Sequence, residues 1–137
     1  MLSAVKSDEK FLNKSMDWNF PIPIAYGPGR LNEISAFCSK FKISNPLIVT
    51  DKGSKKLPFV SRLTTLLRNA SIQSQLFYGI SPNPRDDEIN AGCIAYRKGN
   101  HDGIIAIGGG SALDGAKAIG MTVNSGVSLW DFEYRKP

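Results

Sequence analysis

The chain has 137 residues, 42% of them hydrophobic and 21% charged, the profile of one soluble globular domain rather than a disordered or fibrous chain. No apolar run approaches the roughly 20 residues of a membrane helix, so a spanning protein is excluded. The net charge of +5 suits an anionic partner, but the cations are scattered, with no block that would mark a nucleic-acid arm.

Residues 1–19 mix Lys6, Lys10 and Lys14 with Asp8, Glu9 and Asp17. They lack the apolar centre and cleavage site of a secretory signal, and the acids count against a mitochondrial presequence. This stretch reads as a flexible arm, with one α/β domain expected over 20–137. Phe20–Tyr26 is expected as a strand that Pro21 and Pro23 confine to an edge, where it can pair across a homodimer. Gly27-Pro28-Gly29 turns the chain. Leu31, Ile34, Phe37 and Cys38 then fall at helical spacing.

Three short apolar runs follow at Pro46–Thr50, Ser74–Tyr78 and Gly103–Ile107, their starts separated by about the length of a βαβ unit. Between them, Phe59, Leu63, Leu66 and Leu67 form one helical face. Ile89, Cys93 and Tyr96 form another, with Gly99 placed at C′. The alternation predicts an α/β fold, a Rossmann-like parallel sheet with helices on both faces. Met121 to Pro137 has no clear period and carries Trp130, Phe132 and Tyr134 among polar neighbours. Cys38 and Cys93 are neither a CxxC pair nor a disulfide framework and fit a reducing, cytoplasmic setting. The single histidine, His101, excludes a site built on several imidazoles, and it reads as a surface residue in the turn before the last strand.

Ligands of an open parallel sheet bind beyond the carboxyl ends of its strands, which directs attention to three loops: 51–54, 80–84 and 108–111. In the third, Gly108-Gly109-Gly110 leads from a strand into an alanine-rich helix. Glycines there let backbone approach a diphosphate, and the helix start offers free N–H groups and a positive dipole end. Ser111 and Asp114 also match a capping box, which explains those two residues but not three glycines. GxGxxG fails at Leu113, and the Gly-Lys-Ser/Thr of a Walker loop is missing around Gly115 to Lys117. Asp51, at the end of the first strand, suits a ribose diol, and equally an Asx turn before Gly53. Asn83 and Pro84 read as a helix N-cap and its first residue.

Gly108-Gly-Gly-Ser-Ala-Leu-Asp-Gly-Ala-Lys117 is similar to the GGGSxxDxAK motif of the iron-containing (group III) alcohol dehydrogenases. Tyr26–Gly29, Val49–Gly53 and Ser81–Pro84 match further family marks in the right order. The resemblance implies an NAD-dependent oxidoreductase interconverting alcohols with aldehydes or ketones. It implies that Asp51 contacts the adenosine ribose and that Asn83 approaches the cofactor. Gly109, Gly110, Ser111, Ala112, Leu113 and Asp114 would line the diphosphate. Family members run to nearly three times this length. Their all-helical second domain holds iron or zinc through an aspartate and three histidines, none of which has a counterpart here. The chain therefore reads as an amino-terminal part that ends before the metal domain, inactive alone. Two other readings are a non-catalytic dinucleotide-binding module and a related glycerol dehydrogenase or dehydroquinate-synthase-like protein.

Overall fold

The computed structural model describes residues 14–19 and 21–133, which fall into two compact units divided between Ile34 and Ser35. In the first unit, β1 (Met16–Asn19) pairs antiparallel with β2 (Pro23–Tyr26), Met16 opposite Tyr26 and Asn19 opposite Pro23. Gly27, at φ +145°, lets the chain leave β2 beside Ser15, where a Cβ would come within 2.9 Å of the Ser15 Cα. A 3-10 turn follows over Arg30–Glu33. The Arg30 guanidinium ties the unit together by pairing with both Asp17 and Glu33 and donating to the Met16 carbonyl at 3.3 Å.

This corrects two expectations. The arm expected through residue 19 contains a strand, and the strand expected over 20–26, whose Phe20 lies outside the described residues, starts only at Pro23 among residues 21–26 and has β1 as its partner. Asp17, within the expected arm, is held by a cation 13 positions away. Residues 1–13 of the expected arm lie outside the described residues.

The second unit is a three-stranded parallel sheet of β3 (Pro46–Asp51), β4 (Gln75–Ile80) and β5 (Gly103–Ala106), in the order β4-β3-β5. Leu47 lies beside Gln75 on one side and Ile104 on the other. The helices are α1 (Ile34–Lys40), α2 (Pro58–Asn69), α3 (Asp86–Lys98) and α4 (Gly110–Thr122). β3 is central, and every residue from Pro46 to Thr50 is buried, which accounts for its unbroken apolar text. Leu47 and Val49 join Ile80, Ile89, Cys93, Ala116 and Ile119 in a core against α3 and α4. Ile48, on the opposite face, is also fully buried, and α1 and α2 supply Cys38, Val60, Leu63 and Leu67 to the buried set.

Close packing explains two helical glycines. A Cβ on Gly92 would fall 2.2 Å from Ile119 Cδ1, and one on Gly115 would fall 2.8 Å from Ile80 Cδ1.

The helix ends differ from expectation in a consistent way. Gly99 is the C-cap of α3 with an ordinary φ of −84°, and it is Asn100, at φ +50°, that takes the left-handed C′ position. Asn100 N donates to Arg97 O and His101 N to Tyr96 O, the bond pair of a Schellman motif. Lys42 and Ser71 do the same after α1 and α2, at φ +56° and +58°. Gly99 has a different purpose, because a Cβ there would lie 2.2 Å from His101 Nε2.

His101 itself is not on the surface but 8% exposed. Its Nδ1 donates to Asn45 O at 2.9 Å, and its Nε2 lies 3.1 Å from Gln75 Oε1. Beside it, Asp102 accepts bonds from Ser44 N, Ser44 Oγ and Asn45 N, so this amino edge of the sheet is clamped by side chains. After α4 a single 3-10 turn, Leu129–Phe132, starts at Ser128, and the Trp130 indole Nε1 donates to Asp86 Oδ2 at 3.3 Å. Tyr134 lies outside the described residues.

Candidate functional site

The strand order makes the site. From β3 the chain moves to β4 on one side, then returns across β3 to β5 on the other. The connections leaving β3 and β5 therefore diverge, and a crevice opens between them at the carboxyl edge of the sheet. That crevice is a cleft of about 370 Å³ lined by residues 51–54, Pro82 and residues 109–111. All three loops expected to carry ligand contacts meet there. A larger groove of about 610 Å³ lies beside Arg68 and Ser71 at the other edge, away from these loops.

Each glycine of the third loop has its own geometry. Thr50 Oγ1 donates to Ile107 O at 2.6 Å, pinning the end of β5 against β3. Gly108 then turns the chain at φ +138°, where a Cβ would be 2.9 Å from Asp51 Oδ2 and 3.0 Å from the Ala112 Cβ. Both the backbone angle and the crowding require glycine at that position. Gly109 and Gly110 are unlike it. Gly109 sits at φ −83° and ψ −170°, Gly110 is the first residue of α4, and a Cβ on either would meet no described atom within 4 Å. Nothing in the fold of this unit forbids a side chain at these two positions.

Gly109 is the N-cap of α4, and no described side chain caps it. The expected Ser111–Asp114 capping box does not form, because the N-cap is Gly109, two residues before Ser111, and Ser111 Oγ donates instead to Pro82 O at 2.7 Å. The first N–H groups of α4, those of Gly110, Ser111 and Ala112, precede the intrahelical ladder and remain available to an acceptor in the cleft. The remaining residues expected here are placed unevenly. Ala112 is fully buried, Leu113 is 41% exposed, and the exposed Asp114 lies in the following turn rather than on the cleft lining.

Asp51 is bent into an Asx turn, Oδ1 accepting from Ser54 N at 2.9 Å, while Oδ2 faces Gly108. Both readings of this residue are compatible, since one oxygen serves the turn and the carboxylate still lines the cleft. Desolvation raises its pKa, but the hydrogen bonds from Ser54 and neighbouring backbone prevail, so the group is held below its ordinary value.

Asn83 is exposed in the second loop and does not cap a helix. The N-cap of α3 is Arg85, whose N–H is taken by the Glu88 side chain at 3.2 Å. The cap moves to residue 85 because Glu88, three residues further on, closes a capping box on the Arg85 N–H. Asn83 stands beside the cleft, next to the Pro82 that lines it.

Glu88 is the residue that sequence reasoning missed. It is 6% exposed and accepts from Ser81 N, Ser81 Oγ, Arg85 N and Lys52 Nζ. Burial alone would raise its pKa, yet these donors bring it down to about 2. In the sequence it is only the third of three acids opening a helix, after Asp86 and Asp87, and nothing in that run separates it from a solvated face.

Among the described residues no group of three or more His, Cys, Asp or Glu side chains could hold a metal ion. Cys38 and Cys93 are free and buried, and burial raises both thiols above their ordinary pKa.

Comparison with known proteins agrees with this geometry. The profile of the iron-containing alcohol dehydrogenases matches residues 21–137. Choline dehydrogenase of Bacillus subtilis is 33% identical over 122 residues, covering 89% of this chain and 30% of that protein. Alcohol dehydrogenase 4 of Schizosaccharomyces pombe is 36% identical over 79% of this chain and 26% of its own length. Among solved structures, a 1,3-propanediol oxidoreductase superposes with a TM-score of 0.74 at 32% identity, over 77% of this chain and 28% of that one. The sulfoacetaldehyde reductase of Bifidobacterium kashiwanohense, in complex with NAD+, gives 0.69 at 29% identity, over 81% and 29%. The chain thus spans about three tenths of the length of these relatives. A Rossmann-like parallel sheet, a glycine loop opening on a bare helix start, and a match over residues 21–137 establish the chain as a member of the iron-containing alcohol dehydrogenase family.

Proposed function

We propose that this chain is the dinucleotide-binding part of an NAD-dependent oxidoreductase that interconverts alcohols with aldehydes or ketones. One observation carries the reading: Gly109 and Gly110 have no neighbour that forbids a side chain, yet both are glycine where the start of α4 faces the cleft. Space kept clear at a helix start fits the diphosphate of a dinucleotide. The N–H groups of Gly110, Ser111 and Ala112 would hold its oxygens, and Asp51 would accept from the adenosine ribose hydroxyls. Asp51 would also repel a 2′-phosphate, favouring NAD over NADP. Bound there, the nicotinamide supplies a hydride acceptor. The chain's own residues anchor and orient it.

The metal implied by the family finds no ligand set among the described residues, so no step is assigned to one. We propose that this chain alone turns over no alcohol. Two buried free thiols also suit the cytoplasm, where we place it. The activities by which the relatives are named support an alcohol or aldehyde substrate without selecting one.

Calorimetry with NAD and NADP tests the reading. NAD should bind more tightly than NADP, and Asp51→Gly should narrow that preference; equal preference in the variant and the parent chain would remove Asp51 from the ribose role.

A further inference from the structure

Among the described residues Glu88 is the only buried carboxylate, at 6% exposure, and its bonds reach well beyond its own helix. A first-turn glutamate needs one bond to cap α3, and Arg85 N supplies it at 3.2 Å. The others lead to the cleft. Ser81 N and Ser81 Oγ, at 3.2 and 3.0 Å from Oε2, fix the second loop just before Pro82. Lys52 Nζ, 3.4 Å from Oε1, reaches it from the first loop. Pro82 O in turn receives the Ser111 hydroxyl at 2.7 Å, at the start of α4. One buried anion therefore joins two of the cleft-lining loops directly and reaches the third through residues 81 and 82.

Resting on the dinucleotide reading above, we propose that Glu88 is a positioning residue of the cleft. It holds Pro82 where its carbonyl locks Ser111, and so sets the direction in which the first N–H groups of α4 meet a dinucleotide's diphosphate. Lys52 shares the same carboxylate, which draws its ammonium toward α3.

Glutamine at position 88 has nearly the same shape but offers one acceptor oxygen and turns an NH2 group toward N–H donors. Losing hydrogen bonds to a charged acceptor typically weakens a coupled equilibrium by about ten- to a hundredfold. A double-mutant cycle distinguishes positioning from general support of the fold. Calorimetry with NAD, and separately with ADP-ribose, is run on the parent chain, Glu88→Gln, Ser111→Ala and the double variant, each with its melting temperature. We expect Glu88→Gln to weaken NAD binding by about tenfold or more. Ser111→Ala should cost affinity in the parent chain and almost nothing beside Glu88→Gln, because the Pro82 carbonyl is no longer held. Glu88→Asp, which keeps the anion on a shorter arm, should retain part of the affinity, and it replaces the glutamine variant in the cycle should that fail to fold. Additive losses, or unchanged affinity in Glu88→Gln, overturn the positioning role while leaving the dinucleotide site intact. A parent chain that binds neither NAD nor ADP-ribose overturns the site itself, and the positioning role with it.

Discussion

Replacing glycines one at a time separates those the fold needs from those the ligand needs. At Gly109 and Gly110 a Cβ meets no described atom within 4 Å, and the backbone angles of Gly109 suit any residue. Alanine at either position should therefore stabilise the free chain by about 0.4–1 kcal/mol, by restricting the unfolded ensemble. With an unfolding entropy of roughly 2.1 cal/mol/K per residue, that raises Tm by about 1.5–3.5 °C for a chain of this size. Gly108→Ala should do the reverse. Its φ of +138° and its 2.9 Å approach to Asp51 Oδ2 leave no room for a methyl group. Strain of about 1–3 kcal/mol would lower Tm by roughly 3–10 °C. The ligand response should divide differently. On the proposed binding mode a methyl group on Gly109 or Gly110 would stand between helix N–H groups and a phosphoryl oxygen, and losing one such charged bond should weaken NAD by about ten- to a hundredfold. Differential scanning fluorimetry and calorimetry on the three variants read both quantities. Gly109→Ala and Gly110→Ala proteins that melt higher and still bind NAD like the parent chain would refute the reasoning, since the cleared space would then serve no ligand.

Two further outcomes follow from the site. Glu88 has a folded pKa of about 2 against an ordinary 4.5, so its stabilisation is complete above about pH 4.5 and is lost as pH falls toward 2. Thermal melts of the parent chain and Glu88→Gln should differ at pH 7 and converge across that window; a gap unchanged down to pH 2 would contradict the burial of a charged Glu88. With no metal-ligand group among the described residues, iron or zinc with NAD and a primary alcohol should give no NADH absorbance. A metal-dependent rate from this chain alone would contradict the proposed division of labour.

The sheet and the edge where its three loops meet were legible in the sequence because both leave strong local signals. Buried on two faces, β3 reads as Leu47-Ile48-Val49 without a polar break, and crossover helices space the strands evenly. The glycine loop was legible because three consecutive glycines exceed what a turn requires. What escaped notice depends on distant partners. β1 is only four residues, Met16-Asp17-Trp18-Asn19, and its pairing with Pro23–Tyr26, with Arg30 holding Asp17 from 13 positions away, makes it part of a ribbon. The helix ends were displaced because left-handed C′ positions are usually glycine, whereas here Lys42, Ser71 and Asn100 occupy them. His101 looked like a turn residue because its partners, Asn45 and Gln75, lie 56 and 26 positions away. Glu88 was hidden for the same reason. Its importance comes from Lys52 and Ser81, which the fold delivers and local pattern does not.

Nuclear magnetic resonance of the 15N-labelled chain, titrated with NAD, observes the proposed contacts atom by atom. The amide signals of Gly109, Gly110, Ser111 and Ala112 should move most, with Asp51 and its neighbours next. Signals at the start of α4 that stay fixed while others shift, for instance around Arg68 and Ser71, would place the dinucleotide elsewhere and contradict the site described above.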